Sequence, residues 1–149
     1  EIKANLNYVV CNNVMEMITN ADIVVSAVPI VVNPKPQLDK GMLKKGALAV
    51  SLDYDSAWTS AAMRECEKFV SDDINQLLET KAHGVYFKGI PDKIYADLAE
   101  LSAGLKQGRQ NPDERIFSMN MGIAMDDMVV AKALYINAIE RGIGIKLPL

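Results

Sequence analysis

Cysteine and histidine are almost absent from this sequence of 149 residues, which holds two of the first and one of the second. Cys11 and Cys66 are too few for a disulfide framework. They read as isolated thiols in a reducing cytoplasm, although a single bond between them stays open. One histidine excludes a histidine-based metal cluster. His83, beside Gly84, reads as a solvated loop residue, with a general base as the alternative. Long apolar runs are missing too: none approaches the ~20 residues of a membrane span. The opening EIKANLNYVV lacks the basic and apolar regions of a signal peptide. No basic stripe is available to release counterions from nucleic acid, and the net charge is −3. Neither a GxGxxG turn nor a Walker loop occurs, and the nine glycines are scattered. No internal repeat or low-complexity tract interrupts the chain.

What remains is an ordinary globular composition. Half of the residues are hydrophobic and 23% are charged, and the length suits one domain with a core. Tyr8–Cys11 reads as a short buried strand. Asn12 or Asn13 then caps a short helix over Val14–Thr19. Ala21–Pro29 is a continuous apolar run with an acidic entry and a proline exit, as suits a strand buried on both faces. Residues 31–36 form a loop stiffened by Pro34 and Pro36, and Leu38–Lys45 forms a turn or short helix. Ala47–Leu52 is the next strand. Thr59–Lys68 reads as a helix, Phe69–Ser71 as a brief strand, and Asn75–Lys81 as a short helix. Gly84–Gly89 fits loop or strand. Pro91–Leu105 reads as a helix, with Ile94, Leu98, Leu101 and Leu105 at helical spacing. A polar loop leads to a strand at Arg115–Met119, a tight turn at Asn120–Gly122 and a helix over Ala124–Arg141. Gly142 stops that helix, and the apolar tail IGIKLPL is expected to pack down or to pair with other chain. Strands alternating with helices predict a Rossmann-like α/β fold, with a mostly parallel sheet and helices on both faces. Ile23–Ala27, Ala47–Leu52 and Ile116–Ser118 are its expected central strands.

Chemistry in such a sheet gathers where strands end and helices begin. Asp53 and Asp55 follow the Ala47–Leu52 strand and flank Tyr54. A carboxylate there can hold water, accept a proton or anchor an amine. Both also suit turn and N-cap positions. Asp72 and Asp73 share the ambiguity and fit capping better. Asp126 and Asp127 favour the dipole at the start of the last helix. Met119, Met121, Met125 and Met128 cluster around the Asn120 turn, as core packing or as the soft wall of a pocket.

Three segments carry a family resemblance, which runs from about Tyr8 to Lys132. ADIVVSAVP over Ala21–Pro29, LKKGALAVSLDYDS over Leu43–Ser56, and the turn and helix over Ile116–Lys132 follow in that order. Together they resemble the ornithine cyclodeaminase/mu-crystallin family of nicotinamide-dependent enzymes. The resemblance implies later elements of a Rossmann domain that binds NAD or NADP. It places cofactor contacts at Val28, Leu52, Asp53, Tyr54 and Asn120. It makes Asp55 the catalytic aspartate, working with water and the substrate amine, and puts Met121 beside the substrate with Asp55. It implies no metal. Three positions depart from the family pattern. Asp53 stands where a small residue is usual, so it is expected to be dispensable for the chemistry. Thr59 replaces a lysine found in some members, and Asn120 replaces serine or threonine.

In the family, the glycine-rich phosphate loop, the residue that selects NAD or NADP and the substrate and dimerisation domain all precede the equivalent of Tyr8. The chain starts at Glu1, without methionine. It is therefore expected to be the later part of a longer, homodimeric protein. The implied activity is that of an NAD(P)-dependent oxidoreductase or cyclodeaminase acting on an amino acid or imine. A non-catalytic, mu-crystallin-like ligand-binding or storage protein is the alternative.

Overall fold

A computed structural model describes residues 7–148. Asn13 opens α1 (Val14–Ile18), its side chain accepting the Glu16 N–H at 2.9 Å. The Glu16 carboxylate returns to the Asn12 N–H at 3.0 Å, just ahead of the cap, and so holds the chain entering the helix. Ile18, with no exposed surface, anchors α1 to the core. The strands β1 (Ile23–Ser26) and β2 (Leu48–Ser51) follow. Between them, Gly46 turns with φ of +76°, and a Cβ there would strike the Pro112 carbonyl oxygen. Thr59 caps α2 (Ser60–Arg64), accepting the Ala62 N–H at 3.1 Å. Then come β3 (Lys68–Ser71), α3 (Ile74–Ala82) capped by Asp73, β4 (Ala96–Asp97), α4 (Leu98–Ser102), β5 (Ile116–Met119) and α5 (Ala124–Glu140).

All five strands form one parallel sheet in the order β1-β2-β5-β3-β4. The three expected central strands are indeed neighbours. The steps from β1 to β4 run one way across the sheet and skip the slot that β5 later fills. Only the return from β4 to β5 reverses. With right-handed crossovers, the first set of connections lies on one face and the return on the other. Val24, Ala49, Phe117 and Phe69 share a register row and lie in one core with Ile18, Trp58, Met63 and Leu77. Phe69 and Phe117 stack at 5.4 Å, and Trp58 meets Phe117 edge-on at 5.1 Å. On the other face Lys68 is buried. Its amine donates to the Gly108 carbonyl, to Gln110 Oε1 at 3.1 Å and to Glu114 Oε2 at 3.2 Å, and lies over the Tyr95 ring. A buried ammonium needs such partners, and they pin the 108–114 loop to the sheet.

Several expectations are corrected. Tyr8–Cys11 is irregular, with Tyr8, Val9 and Val10 exposed and Cys11 half-buried, and is not a buried strand. A strand needs a neighbour for its amides, and none lies beside this run among the described residues. The β1 run is not buried on both faces: Ile23 is 62% exposed and Val25 55%. β1 is an edge strand, and only its Val24 face joins the core. The helix expected through Lys68 ends at Arg64, because the Lys68 backbone pairs with β5. The helix expected over Pro91–Leu105 shrinks to α4. The Tyr95 N–H donates to the Phe69 carbonyl at 2.7 Å, and Ala96 pairs with Val70. Asp97 and Glu100 then start α4 with a capping box. Sheet pairing has overridden the helical spacing. Residues 84–89 are loop.

The last helix forms as expected, but none of its residues is buried. Met125 and Met128 are exposed, so only Met119 and Met121 of the four methionines meet the core. The chain turns away from the sheet at Gly122. In the tail, Ile143, Ile145 and Leu147 are exposed and do not pack down.

Candidate active site

Parallel strands end together. Ser26, Ser51, Met119 and Ser71 form one register row across β1, β2, β5 and β3, and all four are buried. The loops after them therefore rise side by side from the carboxyl edge, where ligands bind in open α/β sheets. They carry Val28, then Leu52 to Asp55, then Asn120 and Met121, then Asp72. The sequence-derived site residues are thus brought to one edge. Two open hollows flank it. One of about 380 Å³ includes Val28 and Ser56, and one of about 280 Å³ includes Leu52, Asn120 and Met121.

Asp53 is wholly buried. Oδ1 accepts from Ser26 Oγ at 2.9 Å and from Ser51 Oγ at 2.6 Å, and Oδ2 accepts the Val28 N–H at 3.1 Å. Ser26 Oγ in turn accepts from Trp58 Nε1 at 2.8 Å. This network ties the β1 loop to the β2 loop. Asp53 is more than the turn residue its composition suggests, and its side chain acts through Val28 and Ser51.

Tyr54 takes the left-handed conformation, with φ of +58°. Its ring packs on Phe87 at 4.7 Å and on Tyr86 at 5.3 Å. That turn aims the chain so that Asp55 Oδ2 accepts the Phe87 N–H at 2.9 Å. Asp55 Oδ1 is shielded from solvent and has no hydrogen-bond partner. A buried carboxylate oxygen without a donor is unusual enough to need a cause. Phe87 itself has φ of +60°, a strained conformation in a bulky residue. Sequence reasoning missed the 84–89 loop as part of the site. The Tyr86-Phe87 pair beside Gly84 was the available signal.

Around the third loop, the Asn120 N–H donates to the Ser51 carbonyl at 2.9 Å and Asn120 Oδ1 accepts from Ser118 Oγ at 2.7 Å. Asp73 caps α3 by accepting the Gln76 N–H at 2.9 Å. Asp72 does not cap: its carboxylate reaches across to the Met121 and Gly122 amides. Asp126 and Asp127 stand in the first turn of α5, and His83 is the exposed C-cap of α3. No cluster of histidine, cysteine and carboxylate groups suited to a metal occurs among the described residues.

Comparison with known proteins bears on the chain's family and fold. The profile of the ornithine cyclodeaminase/mu-crystallin family matches residues 2–142. The chain is 41% identical over 54 residues to Delta(1)-pyrroline-2-carboxylate reductase of Bacillus cereus, covering 36% of this chain and 17% of that protein. It is 25% identical over 154 residues to N-((2S)-2-amino-2-carboxyethyl)-L-glutamate dehydrogenase of Staphylococcus aureus, covering 99% of this chain and 44% of the relative. The solved structure of Thermococcus litoralis Delta(1)-pyrroline-2-carboxylate reductase, in complex with NADH and L-proline, superposes with a TM-score of 0.69 at 27% identity. It covers 89% of this chain and 42% of the other. The chain spans less than half the length of these relatives. The match over residues 2–142, on a parallel sheet whose loops gather at one edge, makes this chain a member of the ornithine cyclodeaminase/mu-crystallin family.

Proposed function

We propose that the chain forms the nicotinamide-side flank of an NAD(P)-dependent oxidoreductase or cyclodeaminase acting on an amino acid or a cyclic imine. The observation that carries this reading is Asp55 Oδ1, shielded, unpartnered and at the carboxyl edge of β2. Its partner oxygen is held by the Phe87 amide, so the carboxylate cannot swing freely. A substrate amine or water that displaced the atoms now shielding Oδ1 would find an unused acceptor able to take its proton.

The residues present fit one end of a dinucleotide. Val28, Leu52, Tyr54 and Asn120 stand on loops beside the two open hollows, with Asp53 holding the first two loops in place. Met121 forms a soft wall next to Asp55's loop. When bound, the dinucleotide supplies hydride chemistry at the substrate's α-carbon. Hydrolysis of the imine would make the enzyme a dehydrogenase. Ring closure with loss of ammonia would make it a cyclodeaminase, and thus a lyase. The setting is amino-acid metabolism in the cytoplasm, with a homodimer as the full-length form. The exposed apolar residues of α5 support that assembly. Among the described residues no helix is long and apolar enough to cross a membrane.

The test is steady-state turnover of the full protein with NADH and Delta(1)-pyrroline-2-carboxylate, and with NAD+ and L-proline, L-alanine or L-ornithine. Turnover lost in Asp55→Asn supports the enzyme. NADH binding without any turnover in the unaltered protein would favour the mu-crystallin-like binding protein.

A further inference from the structure

Asp72 spends every acceptor direction of its carboxylate on this protein's own donors. Oδ2 accepts the Met121 N–H at 2.7 Å and the Gly122 N–H at 2.6 Å. Oδ1 accepts the Asp73 N–H at 3.0 Å and Ser71 Oγ at 3.1 Å. The side chain is only 7% exposed, yet it lines the hollow of about 280 Å³ with Leu52, Leu98, Asn120, Met121 and Gly122. No lone pair is left for a substrate amine.

The turn it holds has little else to fix it. β5 ends at Met119, so the Met121 and Gly122 amides have no ladder partner. Gly122 sits at φ of +86°. The helix that follows, α5, has Ile123 at its N-cap position and no side-chain cap. One further tie comes from the same neighbourhood: Gln76 Nε2 donates to the Gly122 carbonyl at 3.3 Å. Asp72 and Gln76 lie at the end of β3 and in the first turn of α3. These two elements therefore dictate where Met121 and Gly122 stand, whereas Asn120 is held from β2 by the Ser51 carbonyl and from β5 by Ser118 Oγ.

We propose that Asp72 is a positioning residue for the substrate side of the site. It presents Met121 and Gly122 to a substrate held by Asp55, while Asn120, on the cofactor side, keeps its own ties to the Ser51 carbonyl and Ser118 Oγ. The proposal rests on the enzyme reading above. It adds a residue that touches neither substrate nor cofactor.

Asp72→Ala removes the acceptor of both turn amides, whereas Asp72→Asn can keep it by turning its amide nitrogen toward the Ser71 hydroxyl. In the full protein Asp72→Ala is expected to raise the KM for the imine about tenfold or more, with the NADH Kd within about twofold of the unaltered protein. Gln76→Ala, which removes only the second tie, should raise the same KM about threefold. Amide hydrogen exchange, measured without cofactor, should speed up at Met121 and Gly122 in Asp72→Ala while the β2 amides keep their protection. A parallel loss of substrate affinity, NADH binding and melting temperature would make Asp72 merely structural and overturn the proposal. An unmoved KM in an active Asp72→Ala protein would overturn it alone, leaving the enzyme reading intact. An unaltered protein with neither NADH binding nor turnover would overturn both.

Discussion

Asp55 and Phe87, thirty-two positions apart in the chain, are joined by one hydrogen bond of 2.9 Å from the Phe87 amide to Oδ2. The bond fixes one carboxylate oxygen and leaves the other, Oδ1, shielded and unpartnered. Asp55→Asn keeps the size of the side chain and its capacity to accept from Phe87. It removes the charge. Turnover of the full protein is expected to fall by roughly 10²-fold or more, the scale of general acid–base catalysis, with the melting temperature nearly unchanged. A rate close to that of the unaltered protein would remove the catalytic role.

Asp53 makes the opposite prediction. Its loss leaves the buried Ser26 hydroxyl and the part-buried Val28 amide without their acceptor, while Ser51 Oγ keeps the Tyr54 carbonyl at 2.6 Å. Asp53→Ala is expected to cost about 3 kcal/mol or more in stability, read from denaturant midpoints. A midpoint within experimental error of the unaltered protein would show that the network relaxes or hydrates.

The sequence spoke clearly wherever local pattern and tertiary role agreed. The β1, β2 and β5 runs are apolar and short, and they became adjacent strands. Asn13, Thr59 and Asp73 cap helices as their types suggest. It misled where pairing partners decide. Ile94, Leu98, Leu101 and Leu105 keep helical spacing, yet Tyr95 and Ala96 are drawn to the sheet edge. The Asp53 and Asp72 roles were also hidden, because each depends on donors in loops distant in sequence. Asp53 reaches Ser26, and Asp72 reaches Met121.

Gly46 is a second stability test. Its positive φ and its approach to the Pro112 carbonyl leave no room for a side chain. Gly46→Ala should destabilise by about 2 kcal/mol, whereas Gly41→Ala, with φ of +84° but open space around it, should cost less. Equal costs would assign the whole effect to the backbone conformation.

Burial pushes the Cys66 thiol up to about 12, and the Glu65 and Glu67 carboxylates add to the shift. The folded state then keeps a proton that the unfolded chain loses near its ordinary value of 9.0. Between about pH 9 and pH 12 the unfolded state binds fewer protons, so this group lowers stability as pH rises. Cys66→Ala should flatten that part of the pH–stability curve. In the native protein at pH 8, Cys66 should resist alkylation by iodoacetamide until the chain unfolds.

The 149 residues alone contain no glycine-rich phosphate-binding turn. Calorimetric titration of this chain with NAD or NADP is expected to show binding weaker than micromolar, because such a turn and its helix end hold the pyrophosphate. Micromolar binding would mean that the edge loops alone suffice.

The two buried carboxylates divide the carboxyl edge into coupled halves. Asp53 binds the β1 loop to the β2 loop, and Asp72 binds the turn after β5 to the end of β3. The Asn120 N–H, which donates to the Ser51 carbonyl, stitches the two together. Replacements around Asp72 are therefore expected to come in pairs within that half, and to spare the Asp53 half as long as the Asn120 backbone stays in place.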